Sequence, residues 1–202
     1  MIEILLIFMI ANGIDIFLKF LVGKLPLLYR TLIHLTWSLS FIYILYLKGI
    51  LSFIYRNLYF SFILLIIYSA FGILIYVATL CIKNLVQNKL LILDIRFYFK
   101  RRLEIESMFT GVLFAILEEF TYRSWIIMST QNVIGLLILS SIVFGLNHLS
   151  INADEFIYKG ILGLVLGLSF ICTKNLIIPI IVHTTYNIFS SSYFSVRQGD
   201  LE

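Results

Sequence analysis

Long apolar runs dominate this sequence and decide its solvent before any motif is considered. Seven of them, near residues 2–22, 31–47, 58–82, 106–127, 132–149, 157–173 and 175–195, approach or exceed the roughly 20 residues that a helix needs to cross a bilayer's hydrocarbon core. Backbone polar groups in hydrocarbon must be satisfied within the segment, so such runs fold as helices. The chain is 61% hydrophobic and 13% charged, whereas a soluble domain is roughly 45–50% apolar and about 25% charged. The expected fold is therefore all-α, a polytopic transmembrane helix bundle of about seven spans.

No internal repeat and no Gly-, Ser- or Pro-rich linker divides the chain, so one integral membrane domain is expected. Residues 1–104 read as N-terminal membrane helices and a basic cytoplasmic connection, and residues 105–195 as the core helices that carry the chemistry. The first run is the most polar, and Asp15 and Lys19, four apart, can pair along one face. It lacks a basic start and a small-x-small cleavage site, so it is expected to stay in the mature protein.

The net charge of +4 is information about topology; no nucleic-acid partner is expected. Lys83, Lys89, Arg96, Lys100, Arg101 and Arg102 crowd the 83–104 connection. With that stretch in the cytoplasm and the spans alternating, Lys19, Lys24, Arg30, Lys159 and Arg197 also fall inside. Only Lys48, Arg56 and Lys174 fall outside. The bias predicts an outer N-terminus and a cytoplasmic C-terminus. Cys81 and Cys172 have no CxxC spacing and read as small core or lipid-facing residues. His34 has no carboxylate or second histidine at helical spacing, and reads as a headgroup-level or interhelical hydrogen-bonding residue. Gly163 and Gly167 form a GxxxG pair suited to close helix packing. Pro179 is expected to kink the last helix just before His183.

Against this background the stretch Leu117-Glu118-Glu119-Phe120-Thr121-Tyr122-Arg123 stands out. An ionisable side chain at the bilayer centre costs roughly 2.5–3.5 kcal/mol on insertion scales, so its default reading is a functional site. Glu119 and Arg123 are four apart and can form an ion pair. Adjacent helical residues point about 100° apart, so Glu118 faces the Tyr122 side instead, as a candidate general base.

Two later runs each hold one histidine, in Phe144-Gly145-Leu146-Asn147-His148 and in His183-Thr184-Thr185-Tyr186-Asn187. His148 ends its run, where Asn147 and Ser150 can orient it or cap the helix. His183 and Asn187, four apart, share a helix face, and two donors aimed at one carbonyl oxygen are the ingredients of an oxyanion hole. A base, a histidine to hold water and paired donors are what amide hydrolysis needs.

Glu-Glu-x-x-x-Arg at 118–123, Phe-x-x-x-His at 144–148 and His-x-x-x-Asn at 183–187 resemble the three signature motifs of the CAAX-protease and bacteriocin-processing (CPBP, or Abi) family. That family includes the type II CAAX prenyl endopeptidases. The resemblance covers roughly residues 105–190, and the first three runs add only hydrophobicity to it. It implies an all-helical membrane bundle whose motifs line a cavity reached from water. Glu118 and His148 would activate the attacking water, His183 and Asn187 would stabilise the oxyanion, and Glu119 and Arg123 would be the supporting pair.

The expected function is therefore that of an intramembrane endopeptidase in a bacterial cell membrane, acting on a membrane-associated peptide or protein in peptide maturation or bacteriocin self-immunity. No cofactor is expected. A metalloprotease-like variant would bind zinc through Glu118, His148 and His183, but the chain has no HExxH. The alternative from another class is a non-catalytic immunity or regulatory membrane protein that binds a peptide or partner in the same cavity. A small transporter would show an inverted repeat or paired broken helices, and neither is visible.

Overall fold

The computed structural model describes residues 17, 32, 35–36, 39–40, 42–44, 46–47, 49, 61–86, 105–128, 132–148 and 153–199. Most of the first two apolar runs, the Asp15–Lys19 pair, His34, Ser150 and the basic stretch from 87 to 104 lie outside the described residues. Five helices are described: α1 (Phe62–Val86), α2 (Ile105–Met128), α3 (Val133–Leu146), α4 (Ala153–Thr173) and α5 (Ile177–Gly199). No strand occurs among the described residues. The last five apolar runs are thus helices within a few residues of their expected bounds. The main shift is at α4, which begins at Ala153, ahead of the expected 157. Glu155 therefore lies inside the helix together with Lys159, and both are buried.

Two stretches, Phe62–Ile82 and Glu155–Thr173, are long and apolar enough to cross a membrane. The described helices supply these two candidate spans, and they do not confirm the expected seven. Helix α2 has 24 residues and, at 1.5 Å per residue, an ample length of about 36 Å. What interrupts its apolarity is Glu106, Glu118, Glu119 and Arg123. Helix α1 turns Phe62, Ile63, Ile66, Ile67 and Leu74 outward, an apolar surface that suits lipid rather than water. Several hydroxyls are satisfied within their own helices: Ser140 and Ser141 donate to the Leu137 carbonyl and Thr173 to that of Ser169.

The chain divides into two units, Met1–Tyr59 with Leu117–Pro179 and Phe60–Ile116 with Ile180–Glu202. In the first, α3 and α4 pack with almost no gap. A Cβ on Gly145 would stand 2.6 Å from the Phe156 carbonyl oxygen and 3.2 Å from Gly160 Cα. One on Gly163 would stand 3.2 Å from Ser141 Cα. The GxxxG spacing of α4 thus does what such spacing does, letting a neighbouring backbone approach closely.

The helix ends follow from local chemistry. Asn132 caps α3, its side-chain oxygen accepting from Gly135 N–H at 3.1 Å. After α4, Lys174 takes a left-handed conformation with φ of 54°, and its N–H donates to the Phe170 carbonyl at 2.7 Å, the geometry of a helix-ending αL turn. Asn175 Oδ1 then accepts from Ile177 N–H at 3.1 Å and starts α5. Pro179 consequently sits in the first turn of α5. There its missing N–H has no helical carbonyl to lose, so it helps begin the helix and the reason to expect a kink disappears.

In the second unit, α1 and α5 touch backbone to backbone. A Cβ on Gly72 would stand 2.7 Å from the Val182 carbonyl oxygen and 2.9 Å from Thr185 Cβ. One turn on, Tyr76 meets Tyr186 edge to face with ring centroids 5.8 Å apart. The third apolar run is therefore more than hydrophobic mass, because it supports the helix that carries His183 and Asn187.

These contacts separate two glycines that are alike in sequence. Gly145→Ala should destabilise the protein by about 1–3 kcal/mol, as overpacking does. Gly160→Ala has only the Ser141 carbonyl at 3.8 Å to meet, and should be neutral or stabilising by up to about 1 kcal/mol through helix propensity. Thermal unfolding of the two variants in detergent checks the difference.

Candidate active site

Helix α2 presents the first motif on two faces. Glu119 and Arg123 share one of them, and both are fully buried. Arg123 Nε donates to Glu119 Oε2 at 2.6 Å and Nη2 to Oε1 at 3.4 Å, so the guanidinium meets the carboxylate as a fork. The ion pair expected from spacing is present. Its surroundings explain how a cation fits there: Arg123 Nη1 would lie 3.3 Å from a Cβ on Gly167, beside Ile126 Cδ1. The second glycine of the α4 motif thus makes room for the arginine as well as for α3. Two charges removed from water are tolerated because each is the other's nearest partner.

The other face carries Glu118 and, one turn later, Tyr122. Glu118 is half-buried. Tyr122 is buried and meets Phe144 of α3 edge to face at 5.1 Å. Its hydroxyl accepts a hydrogen bond from Asn147 Nδ2. The face of α2 that holds Glu118 is therefore the face that, one turn on, meets the end of α3.

His148 stands in the turn that follows α3, half-buried. Asn147 is the C-cap, its N–H bonding back to the Gly145 and Val143 carbonyls. The His148 N–H donates to the Gly145 carbonyl at 2.9 Å, and its ring lies 4.9 Å from that of Phe144. His148 Nδ1 is 2.8 Å from the Phe144 carbonyl oxygen. A carbonyl only accepts, so Nδ1 carries the proton and the neutral ring has its acceptor at Nε2. Of the two tasks that spacing offered Asn147, orienting His148 or capping the helix, the structure shows the helix-ending place; the tautomer follows from a backbone carbonyl that no motif announces.

The third motif belongs to the second unit. His183 is fully buried in α5. Asn187 is half-buried, and its Nδ2 donates to the Gly111 carbonyl at 3.1 Å. The Asn187 amide, expected as one of two oxyanion donors, thus gives one hydrogen to the backbone of α2 within the same unit, which orients the amide. Sequence reasoning missed Gly111 and Gly72, since a glycine's closeness to a distant helix leaves no local signal. Tyr122 had one: it lies four residues after Glu118. Among the described residues no group of three or more His, Cys, Asp and Glu side chains is gathered to hold a metal ion.

An acid–arginine helix joined to a histidine turn, with a His-x-x-x-Asn helix in the second unit, defines a helical protein that carries ionisable and amide side chains on apolar helices. Residues 103–189, which contain all three motifs, match the family of type II CAAX prenyl endopeptidase, Rce1-like proteins. The match agrees with the resemblance read from the motifs, and the family is one of membrane-embedded proteases. No curated protein and no solved structure matches the chain significantly.

Arg123→Ala would strand Glu119 without its cation in a fully buried position, a change of about 3–5 kcal/mol. The expected result is a large fall in protein abundance and in thermal stability, measured by quantitative immunoblotting and unfolding in detergent. Normal levels would mean that the pair is not what holds this helix in place.

Proposed function

We propose that this protein is an intramembrane endopeptidase of the CAAX-protease type, with about seven spans and residues 105–195 as its catalytic core. It hydrolyses a peptide bond in a membrane-associated peptide or protein of a bacterial cell membrane, in peptide maturation or bacteriocin self-immunity. The observation that carries the reading is the junction of the first two motifs. Tyr122, on the Glu118 face, bonds to Asn147 and meets Phe144 edge to face, while the Phe144 carbonyl holds the ring of His148. The family match over all three motifs supports it from a separate direction.

In the proposed reaction His148 Nε2 holds the attacking water and Glu118 accepts its proton as the water oxygen bonds to the scissile carbonyl carbon. The oxyanion that forms accepts hydrogen bonds from His183 and Asn187, whose amide is oriented by its bond to Gly111. The tetrahedral intermediate collapses by breaking the C–N bond, and the proton held by Glu118 passes to the departing amine. Glu119 and Arg123 take no part in these transfers; they keep α2 in place.

Peptides from membranes and medium, compared between cells with and without the protein, test this. Glu118→Gln and His148→Ala should give the profile of cells that lack it, at normal protein levels. Native processing or native protection in Glu118→Gln cells would instead support the non-catalytic immunity or regulatory protein. Asn187→Ala should lower the rate by roughly 10²–10³, the usual effect of losing an oxyanion donor. Metal-free water activation predicts full activity in the presence of a chelator. Activity lost to chelator and restored by zinc would make Glu118, His148 and His183 zinc ligands.

A further inference from the structure

We propose that Tyr122 and Asn147 form a positioning pair that sets the place and reactivity of His148. The inference deepens the proposed function, on which it rests for its catalytic meaning. The two side chains come from different helices, 25 residues apart in sequence, and are buried at 2% and 6% exposure. Burying two polar groups against apolar helices is unfavourable unless each finds a partner. Here the Asn147 amide donates to the Tyr122 hydroxyl.

Asn147 is also the residue at which α3 ends, and His148 is the next residue in that turn. Any shift of Asn147 therefore carries the imidazole with it. The Tyr122 ring acts on the same turn by a second route, through its edge-to-face contact with Phe144, whose carbonyl accepts from His148 Nδ1. Phe144 in turn has its ring against that of His148. Hydroxyl and ring thus reach the same histidine by a polar path and an apolar path. Because Tyr122 lies one turn from Glu118 on α2, the pair fixes the histidine relative to the acid helix itself. Neither Tyr122 nor Asn147 belongs to the three-motif pattern of the two glutamates, the arginine, the histidines and Asn187.

The test reads His148 directly and needs no substrate. The full-length protein in detergent is treated with diethyl pyrocarbonate, which acylates neutral imidazole. The rate at His148 is followed by mass spectrometry as a function of pH, with His34 as internal reference. Tyr122→Phe keeps the ring on Phe144 and removes only the hydroxyl, so a purely packing role predicts no change at His148. The positioning pair predicts that Tyr122→Phe and Asn147→Leu each raise the His148 rate by about threefold or more, with a shifted pH midpoint and His34 unaffected. Partners in one interaction are non-additive, so the double variant should show no further rise. It removes both buried polar groups together, which keeps it foldable. Unchanged His148 rates and midpoints in all three variants, or effects that simply add, would overturn the pair. If His148 responds as stated while the native protein cleaves no peptide, the pair stands and the endopeptidase reading fails.

Discussion

The ion pair between Glu119 and Arg123 is the interaction on which the rest of the first unit depends. Both groups are wholly withdrawn from solvent, where either charge alone would be untenable. Their fork-like contact runs along one face of α2, and keeping that face buried beside Gly167 of α4 sets the rotation of α2 about its axis. Once that rotation is set, the next residue round the helix, Glu118, is directed to the other face, together with Tyr122. Two neighbouring carboxylates thereby receive different surroundings, one structural and one, in the proposed function, chemical. The separation comes from helical geometry alone.

Close packing makes this rotation unique. Helix α4 has no side chain at Gly163 or Gly167, so α3 and the arginine both come within contact distance of its backbone. Gly145 does the same for α3. A site assembled on helices in this way is rigid by construction, because neither helix can slide without a clash. The second unit repeats the device with other residues: Gly72 brings α1 onto α5 beside Val182, the residue before His183. The tie from Asn187 to the Gly111 carbonyl then holds α5 against α2.

Much of this was readable in the sequence. Apolar run length gave the last five helices, since a hydrophobic stretch of that length has few other ways to satisfy its backbone. The Glu119–Arg123 pair followed from i,i+4 spacing, and the helix-ending place of Asn147 from its position at the end of an apolar run. Pro179 falls in the first turn of α5 instead of within it, because the start of α5 was set by Asn175, a capping residue with no strong pattern around it. The start of α4 was placed too late because Asp154 and Glu155 interrupt the apolar run, whereas Glu155 is buried in the helix. What could not be read was contact between distant residues: Tyr122 with Asn147, Asn187 with Gly111, Gly72 with Val182. Each depends on which helices become neighbours, and local periodicity does not encode that.

The central claim is that the paired carboxylates of α2 divide structure from chemistry. Thermal unfolding of the purified protein in detergent, with Glu118→Gln and Glu119→Gln side by side, tests it without knowledge of any substrate. Glu119→Gln should be less stable by about 3 kcal/mol or more, because it leaves a buried arginine without its counter-charge. Glu118→Gln should remain within about 1 kcal/mol of the native protein. Equal losses in the two variants, or a larger loss for Glu118→Gln, would contradict the division.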